Sequence, residues 1–289
     1  MTYVYLNRAV IPEAEAKVSV LDRGFLYGDG LFETLRICHG QLFRWSMHWR
    51  RLQVGAEFFG IRLPVSEAEL HAAALQLIQS NAHSEGVLRL QISRGAGQRG
   101  YSPRGADCPT LVMTTHPLPP LTEHIAPWTL RTSPYRLPAG DPLAAHKSTN
   151  KLLQILARKE AEEQGADEAL LLNSEGQVAE TTSGNLFCVR DGGLITPPAS
   201  AGILPGITRA VVMELAVSHG IPARESSLSQ DDLLHADGLF LTLSSYGLIP
   251  IRGLDGAALR QTPLITTLRH AYAEQVQKEC LGGDNAAER

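Results

Sequence analysis

The chain has 289 residues, a length that suits two domains or one large α/β unit. Hydrophobic residues make up 44% of it and charged residues 19%, which excludes a disordered chain and allows sizeable cores. The formal net charge is −4, which argues against a nucleic-acid partner because such partners bind a basic surface.

Cysteine and histidine spacing bear on redox state and metals. The four cysteines form no C-x-x-C pair, which indicates neither a disulfide framework nor a cysteine zinc site and favours a reducing compartment. The ten histidines show no H-x-H or H-x-x-x-H spacing, so we expect no metal. The N-terminus lacks the pattern of a signal peptide, and no apolar run reaches the roughly 18–20 residues of a membrane helix. We therefore expect a cytoplasmic protein with no membrane partner.

Short strands and turns open the chain. Asn7-Arg8 and His39-Gly40 are turn dipeptides between apolar stretches, which predicts two hairpins. Apolar residues at helical spacing then predict helices over 46–59 and 67–79, and the next predicted strand covers 87–92.

Four prolines between residues 117 and 127 indicate a connector, since proline removes a backbone donor and restricts φ. We therefore divide the chain into an N-terminal α/β domain over 1–117, a connector over 118–127 and a C-terminal domain over 128–289. The elements predicted beyond the connector are strands over 128–133, 169–172, 177–179, 185–189, 194–196 and 239–243, and helices over 149–164, 208–218 and 262–279. This mixture predicts an α/β (α+β) fold.

A glycine-rich stretch over 95–100 matches G-x-G-x-x-G and follows a predicted strand. A dinucleotide site also needs a helix N-terminus directly after the glycines, because that end holds the pyrophosphate. Here Tyr101-Ser102-Pro103 follows and predicts a loop, so we do not expect a nicotinamide cofactor. The stretch is either a flexible surface loop or an anion clamp that uses Arg94, Arg99 and Tyr101.

Three features in the second half could carry chemistry, although each also has a plain structural explanation. The turn at Gly206 leads into a predicted helix whose first amides, those of Ile207 and Thr208, are donors suited to a phosphate. Glu180 ends a strand and either belongs to a surface turn or holds a protonated heterocyclic nitrogen. Lys147 precedes an amphipathic helix and is either a surface charge or a Schiff-base nucleophile.

Taken together, these features resemble one known family. The segments that match the class IV aminotransferase signature, gap lengths included, are 180–187, 194–196 and 204–209, with upstream matches at Arg51 and Lys147 and a downstream match at 241–245. The chain is identified as a member of the fold-type IV pyridoxal 5′-phosphate enzymes. That group includes branched-chain aminotransferases, D-amino-acid aminotransferases and 4-amino-4-deoxychorismate lyases.

The resemblance implies two α/β domains with the cofactor between them, a homodimer, and a small amino substrate that carries a carboxylate. Lys147 would bind the cofactor as a Schiff base and move the substrate proton, and Glu180 would pair with the pyridine nitrogen. The groups implied to bind the cofactor phosphate are the Arg51 side chain, the amides of Ile207 and Thr208, and the Ser244 hydroxyl.

Local features resemble the lyases most. Asn150 lies three residues after Lys147, as in lyases and D-amino-acid aminotransferases, whereas branched-chain enzymes have a four-residue spacing. The stretch 92–102 resembles the lyase pattern SRGxGxRGYS, and 245–252 lacks the glutamate typical of aminotransferases. The implied substrate residues are Arg99 and Tyr101, which would hold a carboxylate, and Phe32 and Thr34 at the reacting face.

The expected activity is therefore that of an aminodeoxychorismate lyase, which converts 4-amino-4-deoxychorismate to 4-aminobenzoate and pyruvate for folate biosynthesis. A D-amino-acid aminotransferase, and after it a branched-chain-type enzyme, are alternatives on the same site. The last alternative is an inactive protein that only holds the cofactor. We expect the loop that carries Arg99 to contribute to the neighbouring subunit of the dimer.

Overall fold

The computed structural model describes residues 1–121 and 125–282, which fall into two units. Unit 1 contains Met1–Pro120, His146–Asn150 and the described residues from Val276 onward, and unit 2 contains the rest, Leu121–Ala145 and Lys151–Gln275. The chain thus leaves unit 1 within the proline-rich stretch, of which residues 122–124 lie outside the described part. The expected C-terminal domain over 128–289 differs from this division, because its segments 146–150 and 276 onward belong to unit 1.

Unit 1 is built on a six-stranded antiparallel sheet in the order β2-β1-β6-β5-β3-β4. Its elements are β1 (Tyr3–Leu6), β2 (Ala9–Pro12), α1 (Arg23–Tyr27), β3 (Gly30–Cys38), β4 (Gln41–Leu42), α2 (Trp45–Phe59), α3 (Glu67–Ser80), β5 (Gly86–Ser93) and β6 (Thr110–Pro117). Leu35 and Leu88 from the sheet pack with Leu52 and Leu77 from the helices in one buried cluster. The core of unit 1 therefore lies between the sheet and the two longer helices.

Both predicted hairpins and both predicted helices of this part are present. Helix α3 begins with a capping box, in which Ser66 and Glu69 exchange hydrogen bonds. The sequence reading missed α1, whose five residues are too few to show a helical period, although its Asp22 cap accepts from the Gly24 amide. It also missed β6, where threonines alternate with buried apolar residues.

Unit 2 contains a nine-stranded mixed sheet in the order β12-β11-β10-β13-β14-β7-β8-β9, with β15 paired to β14. Its strands are β7 (Trp128–Leu137), β8 (Glu168–Asn173), β9 (Val178–Thr181), β10 (Asn185–Arg190), β11 (Gly193–Thr196), β12 (Ala223–Glu225), β13 (Gly238–Leu243), β14 (Gly247–Leu254) and β15 (Ala257–Ala258). The pairs β7/β8, β7/β14 and β11/β12 are parallel and the others antiparallel. The two sheets with their helices confirm the mixed α/β class.

The helices of unit 2 are α4 (Leu152–Glu163), α5 (Ile207–Ser218), α6 (Gln230–Leu234) and the first part of α7 (Pro263–Leu281). Strands β8 and β13 are buried along their whole length, and β10 along all but its last residue. Their central residues therefore form apolar runs without polar–apolar alternation, and the buried polar residues lie at or near the strand ends. Phe187 and Phe240 stack between neighbouring strands with ring centroids 5.0 Å apart.

Two differences from the predicted elements have local causes. Strand β14 was not predicted, and its Pro250 is unusual in a sheet interior. The parallel pairing of β14 with β7 begins only at Ile251, so Pro250 lies where the ladder to that neighbour has not started. Helix α4 starts at Leu152 and not at residue 149, because the Thr149 amide donates to the carbonyl of Gly30.

Among residues 1–121 and 125–282, no helix combines the length and apolar character needed to cross a membrane.

Candidate functional site

Lys147 is held against strand β3 in unit 1. Its carbonyl accepts the Phe32 amide at 2.9 Å, and the neighbouring Ser148 forms a β-bridge with Leu31. The Lys147 Nζ lies 4.6 Å from the centre of the Phe32 ring. The backbone of the predicted nucleophile is thus fixed to a sheet, and its amine is placed on an aromatic face.

A second cation shares that ring. The guanidinium carbon of Arg89, on β5, lies 4.1 Å from the centre of Phe32. Thr34 pairs with Arg89 in the β3–β5 register, so both predicted reacting-face residues, Phe32 and Thr34, lie beside this arginine. Two cations on one buried aromatic ring make a place that favours an anionic group such as a carboxylate. Arg89 was not among the residues expected from the sequence.

Behind β3, a buried carboxylate connects the sheet to helix α2. Glu33 accepts from Arg51 through both carboxylate oxygens, at 2.8 and 2.6 Å, and its Oε2 lies 2.7 Å from His48 Nδ1. Burial alone would raise the pKa of Glu33, but the charge and hydrogen bonds of Arg51 and His48 lower it to about 2. Burial also lowers the pKa of His48, against the effect of Glu33. The group is therefore an ionised carboxylate between a guanidinium and a neutral imidazole.

Arg51, the expected phosphate ligand, is thus found in an ion pair. A guanidinium has five N–H donors, so the two bonds to Glu33 do not exhaust its capacity. Its phosphate role stays a prediction. The sequence contained an indication that Glu33 is paired. Glu33 lies between Leu31 and Leu35 on the same buried face of a strand, where a carboxylate requires a partner.

The glycine-rich stretch is held by Arg23. The Arg23 guanidinium donates to the carbonyls of Gly100, Ser102 and Tyr101 at 2.8, 3.1 and 3.1 Å. Its Nε donates to Asp29 at 2.8 Å. The side chain is nearly fully buried, which makes these bonds a fixed support for the loop.

Arg94, proposed above as part of an anion clamp, has a structural role in unit 1. It donates to both oxygens of Asp29, at 2.8 and 3.1 Å, and to the carbonyls of Phe59 and Gly60. Burial would raise the pKa of Asp29, but its bonds to Arg94 and Arg23 lower it. The interpretation of Arg94 as an anion clamp is therefore wrong.

The other two residues of that proposal lie on the outside of the loop. Arg99 is exposed, and Tyr101 is 87% exposed with its ring edge-on to Tyr27 at 5.7 Å between centroids. Both side chains are therefore presented to whatever approaches this surface. Their assignment to a substrate carboxylate stays a prediction.

In unit 2, the carboxylate of Glu180 on β9 is held by two hydrogen bonds. Its Oε2 accepts from the Leu204 amide at 3.0 Å and from the Asn185 Nδ2 at 3.2 Å, while the same amide group of Asn185 donates to the Leu204 carbonyl at 2.9 Å. Asn185 thus ties the carboxylate to the chain before α5. This geometry orients Glu180 for a bond to a ring N–H.

Helix α5 begins at Ile207, three residues after Leu204. Its cap residue Gly206 provides no side-chain hydrogen bond, and a Cβ there would lie 2.0 Å from the Asn185 Oδ1. Ile207 and Thr208 form the first turn, whose amides have no acceptor within the helix. An oriented carboxylate and a glycine-capped helix start fit a phosphorylated pyridine. Ser244 lies in the turn that follows β13, and β13 is the strand next to β10 in the sheet.

Lys151 is a second amine of interest, also in unit 2. It lies at the N-cap of α4 and is partly buried. Burial lowers the pKa of Lys151, and the negative charge of Glu180 acts in the opposite direction.

Known proteins resemble this chain along most of its length. A model of the amino-transferase class IV family matches residues 30–254. A Methanocaldococcus jannaschii protein, provisionally named a branched-chain-amino-acid aminotransferase, is 38% identical over 256 residues, 89% of each chain. The D-alanine aminotransferase of Bacillus licheniformis is 32% identical over 258 residues, again 89% of each chain.

A solved structure from Legionella pneumophila gives a third comparison. It is provisionally named a 4-amino-4-deoxychorismate lyase, has 33% sequence identity and a TM-score of 0.84, and covers 91% of this chain and 96% of its own. The range 30–254 matched by the family model contains Arg51, Lys147, Glu180 and Ser244.

Proposed function

This chain belongs to the class IV aminotransferases, and we propose that within the family it is an aminodeoxychorismate lyase. Enzymes of this class depend on pyridoxal 5′-phosphate, and so does this one. The proposed reaction converts 4-amino-4-deoxychorismate to 4-aminobenzoate and pyruvate. The observation that carries it is the supported loop that follows β5.

That loop has the sequence that most resembles the lyases. Holding it and the side chains that support it in one conformation costs conformational entropy. Two largely buried arginines, Arg23 and Arg94, meet at Asp29. Arg23 binds the backbone carbonyls at the end of the glycine-rich stretch, and Arg94, at its start, binds the carbonyls that end α2. A plain surface connection does not need such a network. Its effect is to present Arg99 and Tyr101 in a defined position, and the lyase-named relative of similar fold supports the same assignment.

The bound cofactor supplies an electron sink for the carbanion left when a proton is removed from the amine-bearing carbon. Lys147 takes that proton at Nζ, and Phe32 shields the amine from water on one side. Arg89 attracts a substrate carboxylate beside the same ring. Glu180, oriented by Asn185, would hold the pyridine nitrogen by accepting a hydrogen bond from it. The C–O bond to the enolpyruvyl group on the neighbouring carbon then breaks and its electron pair leaves with that group. The departing group takes up the proton and becomes pyruvate, and the ring becomes aromatic.

An aminotransferase is the second candidate, because two relatives of matching length carry such names. The name of the Bacillus licheniformis relative points to D-alanine as the substrate, and the provisional name of the Methanocaldococcus jannaschii relative points to branched-chain amino acids. Proton removal by Lys147 is common to all three activities. They differ in where the proton returns and in whether the substrate has a leaving group next to the amine-bearing carbon.

Product analysis of the cofactor-loaded enzyme tests the proposal. One reaction contains 4-amino-4-deoxychorismate, a second D-alanine with 2-oxoglutarate, and a third L-leucine with 2-oxoglutarate. We expect 4-aminobenzoate and pyruvate in equal amounts in the first and little glutamate in the others. Rapid glutamate formation without an aromatic product would make the chain an aminotransferase.

Two lysine variants test the site independently of the substrate. Lys147→Ala should abolish every turnover, whereas Lys159→Ala, an exposed lysine on α4 paired with Glu163, should leave it unchanged. Near-normal activity of Lys147→Ala would overturn the assignment of the nucleophile. Failure of the wild-type enzyme on all three substrates would leave the inactive cofactor-holding protein.

A further inference from the structure

Away from Lys147, unit 1 contains a cluster of metal-binding side chains at one end of its sheet. The Cys38 Sγ, a ring nitrogen of His39 and a carboxylate oxygen of Glu85 all lie within 4.8 Å of one another. The Cys38 thiol also interacts with the thiol of Cys280, near the end of α7. Three potential ligands thus come together, and Cys280 provides a fourth beside Cys38.

We propose that Cys38, His39, Glu85 and Cys280 form a binding site for a zinc-type divalent cation. Two sulfurs, an imidazole and a carboxylate are the donors that Zn²⁺ takes in tetrahedral sites. Ligand atoms in such a site lie about 3.3–3.8 Å apart, since metal–ligand bonds are about 2.0–2.3 Å long. Bringing the ligand atoms of Cys38, His39 and Glu85 to that spacing needs shifts of roughly 1 Å, which exposed His39 can supply by side-chain rotation. Cys280 would complete the set from its place beside Cys38.

The backbone prepares the cluster. His39 has a φ of 51°, in the left-handed region, because it makes the tight turn between β3 and β4. That turn changes the strand alternation, so consecutive residues Cys38 and His39 both point towards Glu85. The His39 amide donates to Glu85 Oε1 at 3.2 Å, and the Gly40 amide donates to the Ser84 carbonyl at 2.9 Å. The hairpin and the start of β5 are therefore joined on both sides of the site.

Arg36 supplies the outer support that such sites need. Its Nη2 donates to the other oxygen of Glu85, Oε2, at 2.5 Å and to the Pro119 carbonyl at 2.7 Å, and its side chain is 1% exposed. One carboxylate oxygen can thus bind the metal while the second stays on Arg36. Binding releases one proton from each thiol, and the two thiolates and the carboxylate are then balanced by Zn²⁺ and the guanidinium.

Cobalt titration of the reduced, chelator-treated, cofactor-loaded enzyme tests this proposal. Thiolate ligands give Co²⁺ a charge-transfer band, and tetrahedral geometry gives intense absorption at the red end of the visible spectrum, away from the cofactor. We expect both signals to saturate at one Co²⁺ per chain and to disappear on addition of Zn²⁺. Zn²⁺ binding should release two protons.

Single variants locate the site. Cys38→Ser and Cys280→Ser should each weaken Co²⁺ binding by more than the roughly 10- to 100-fold that loss of an outer partner costs. His39→Asn changes an exposed turn residue and should weaken it while the fold is kept. Cys108→Ser and Cys188→Ser, which replace an exposed and a buried cysteine outside the cluster, are the matched controls and should bind normally.

Three results would overturn the inference. They are the absence of a thiolate charge-transfer band in the reduced enzyme, a band that survives Cys38→Ser, and a band that is lost equally in Cys108→Ser or Cys188→Ser. Each of them is independent of the reaction catalysed at Lys147, so the outcome also separates this site from the proposed function.

Discussion

The ring of Phe32 brings Lys147 and Arg89 to one place, and at the scale of single residues this is the feature with the clearest consequence for binding. Arg89 carries a fixed charge 4.1 Å from the ring centre, and its Nη2 donates to Gln91 at 3.2 Å. A guanidinium held in this way can bind a substrate carboxylate without first being ordered.

We predict that Arg89→Leu raises KM for a carboxylate substrate about 10- to 100-fold, because a hydrogen bond to a charged group contributes about 1.5–3 kcal/mol. Arg89→Lys should keep part of the binding because the charge remains. Steady-state kinetics with the best substrate measure both values. An unchanged KM in Arg89→Leu would place the substrate carboxylate elsewhere.

The buried Glu33 makes stability depend on acid pH. Its pKa falls from an ordinary 4.5 to about 2 in the folded chain, so its stabilising effect is complete above pH 4.5 and is lost as the pH falls towards 2. This effect amounts to about 3 kcal/mol. We expect Glu33→Gln to be less stable at neutral pH and to show a smaller loss between pH 5 and pH 3. Urea unfolding across that range gives the slope for both proteins, and equal slopes would contradict the ionised state of Glu33.

The start of α5 depends on Gly206 having no side chain. Gly206 is not needed for a special φ, which is −72°, but for space beside Asn185. A methyl group there would displace the amide that orients Glu180. The cap of this helix and the carboxylate on β9 therefore act as one unit.

Gly206→Ala should consequently weaken pyridoxal phosphate binding by about 10-fold or more, the effect of losing one hydrogen bond to a charged group. Gly253→Ala on β14 is a suitable control, since a Cβ there would lie 3.3 Å from the Ala257 carbonyl oxygen and 3.5 Å from the Thr129 Cγ2. An absorbance titration with the cofactor measures the change. Equal affinities in the two variants would show that Asn185 does not position the site.

At the scale of the whole molecule, the exposed apolar side chains of unit 1 bear on its expected partner. Val20, Leu21 and Phe25 are 73%, 58% and 76% exposed, and they lie beside the loop of Tyr101, since the Gly97 amide donates to the Leu21 carbonyl. Large apolar groups gathered on one surface are typical of a protein interface. The expected homodimer would bury them.

We predict that Phe25→Asp shifts the chain from dimer to monomer, because the interface would have to bury an unpaired charge. Val217→Asp on α5 replaces an equally exposed residue of unit 2 and should remain dimeric. Sedimentation velocity distinguishes the two states. A monomeric wild-type chain, or a dimeric Phe25→Asp, would remove this surface from the interface.

Local signals in the sequence sufficed for most elements and for the family. Helical periods, turn dipeptides and apolar runs report on neighbours in the chain, so both hairpins, the longer helices and the buried strands could be predicted from them. The cofactor residues could be named because their order and spacing match a family pattern. Strand β14 was missed because its proline contradicts the local rule.

The environment of the site residues was decided by the tertiary structure alone. Arg94 forms its ion pair with Asp29 across 65 residues, and Arg51 binds Glu33 across 18. The pairing of β3 with β5 is what places Arg89 beside Phe32, and the bond from Phe32 to Lys147 is what moves residues 146–150 into unit 1. Residue type and spacing state which groups can react, but charge pairing and burial depend on which distant segments meet, and only the folded chain brings them together.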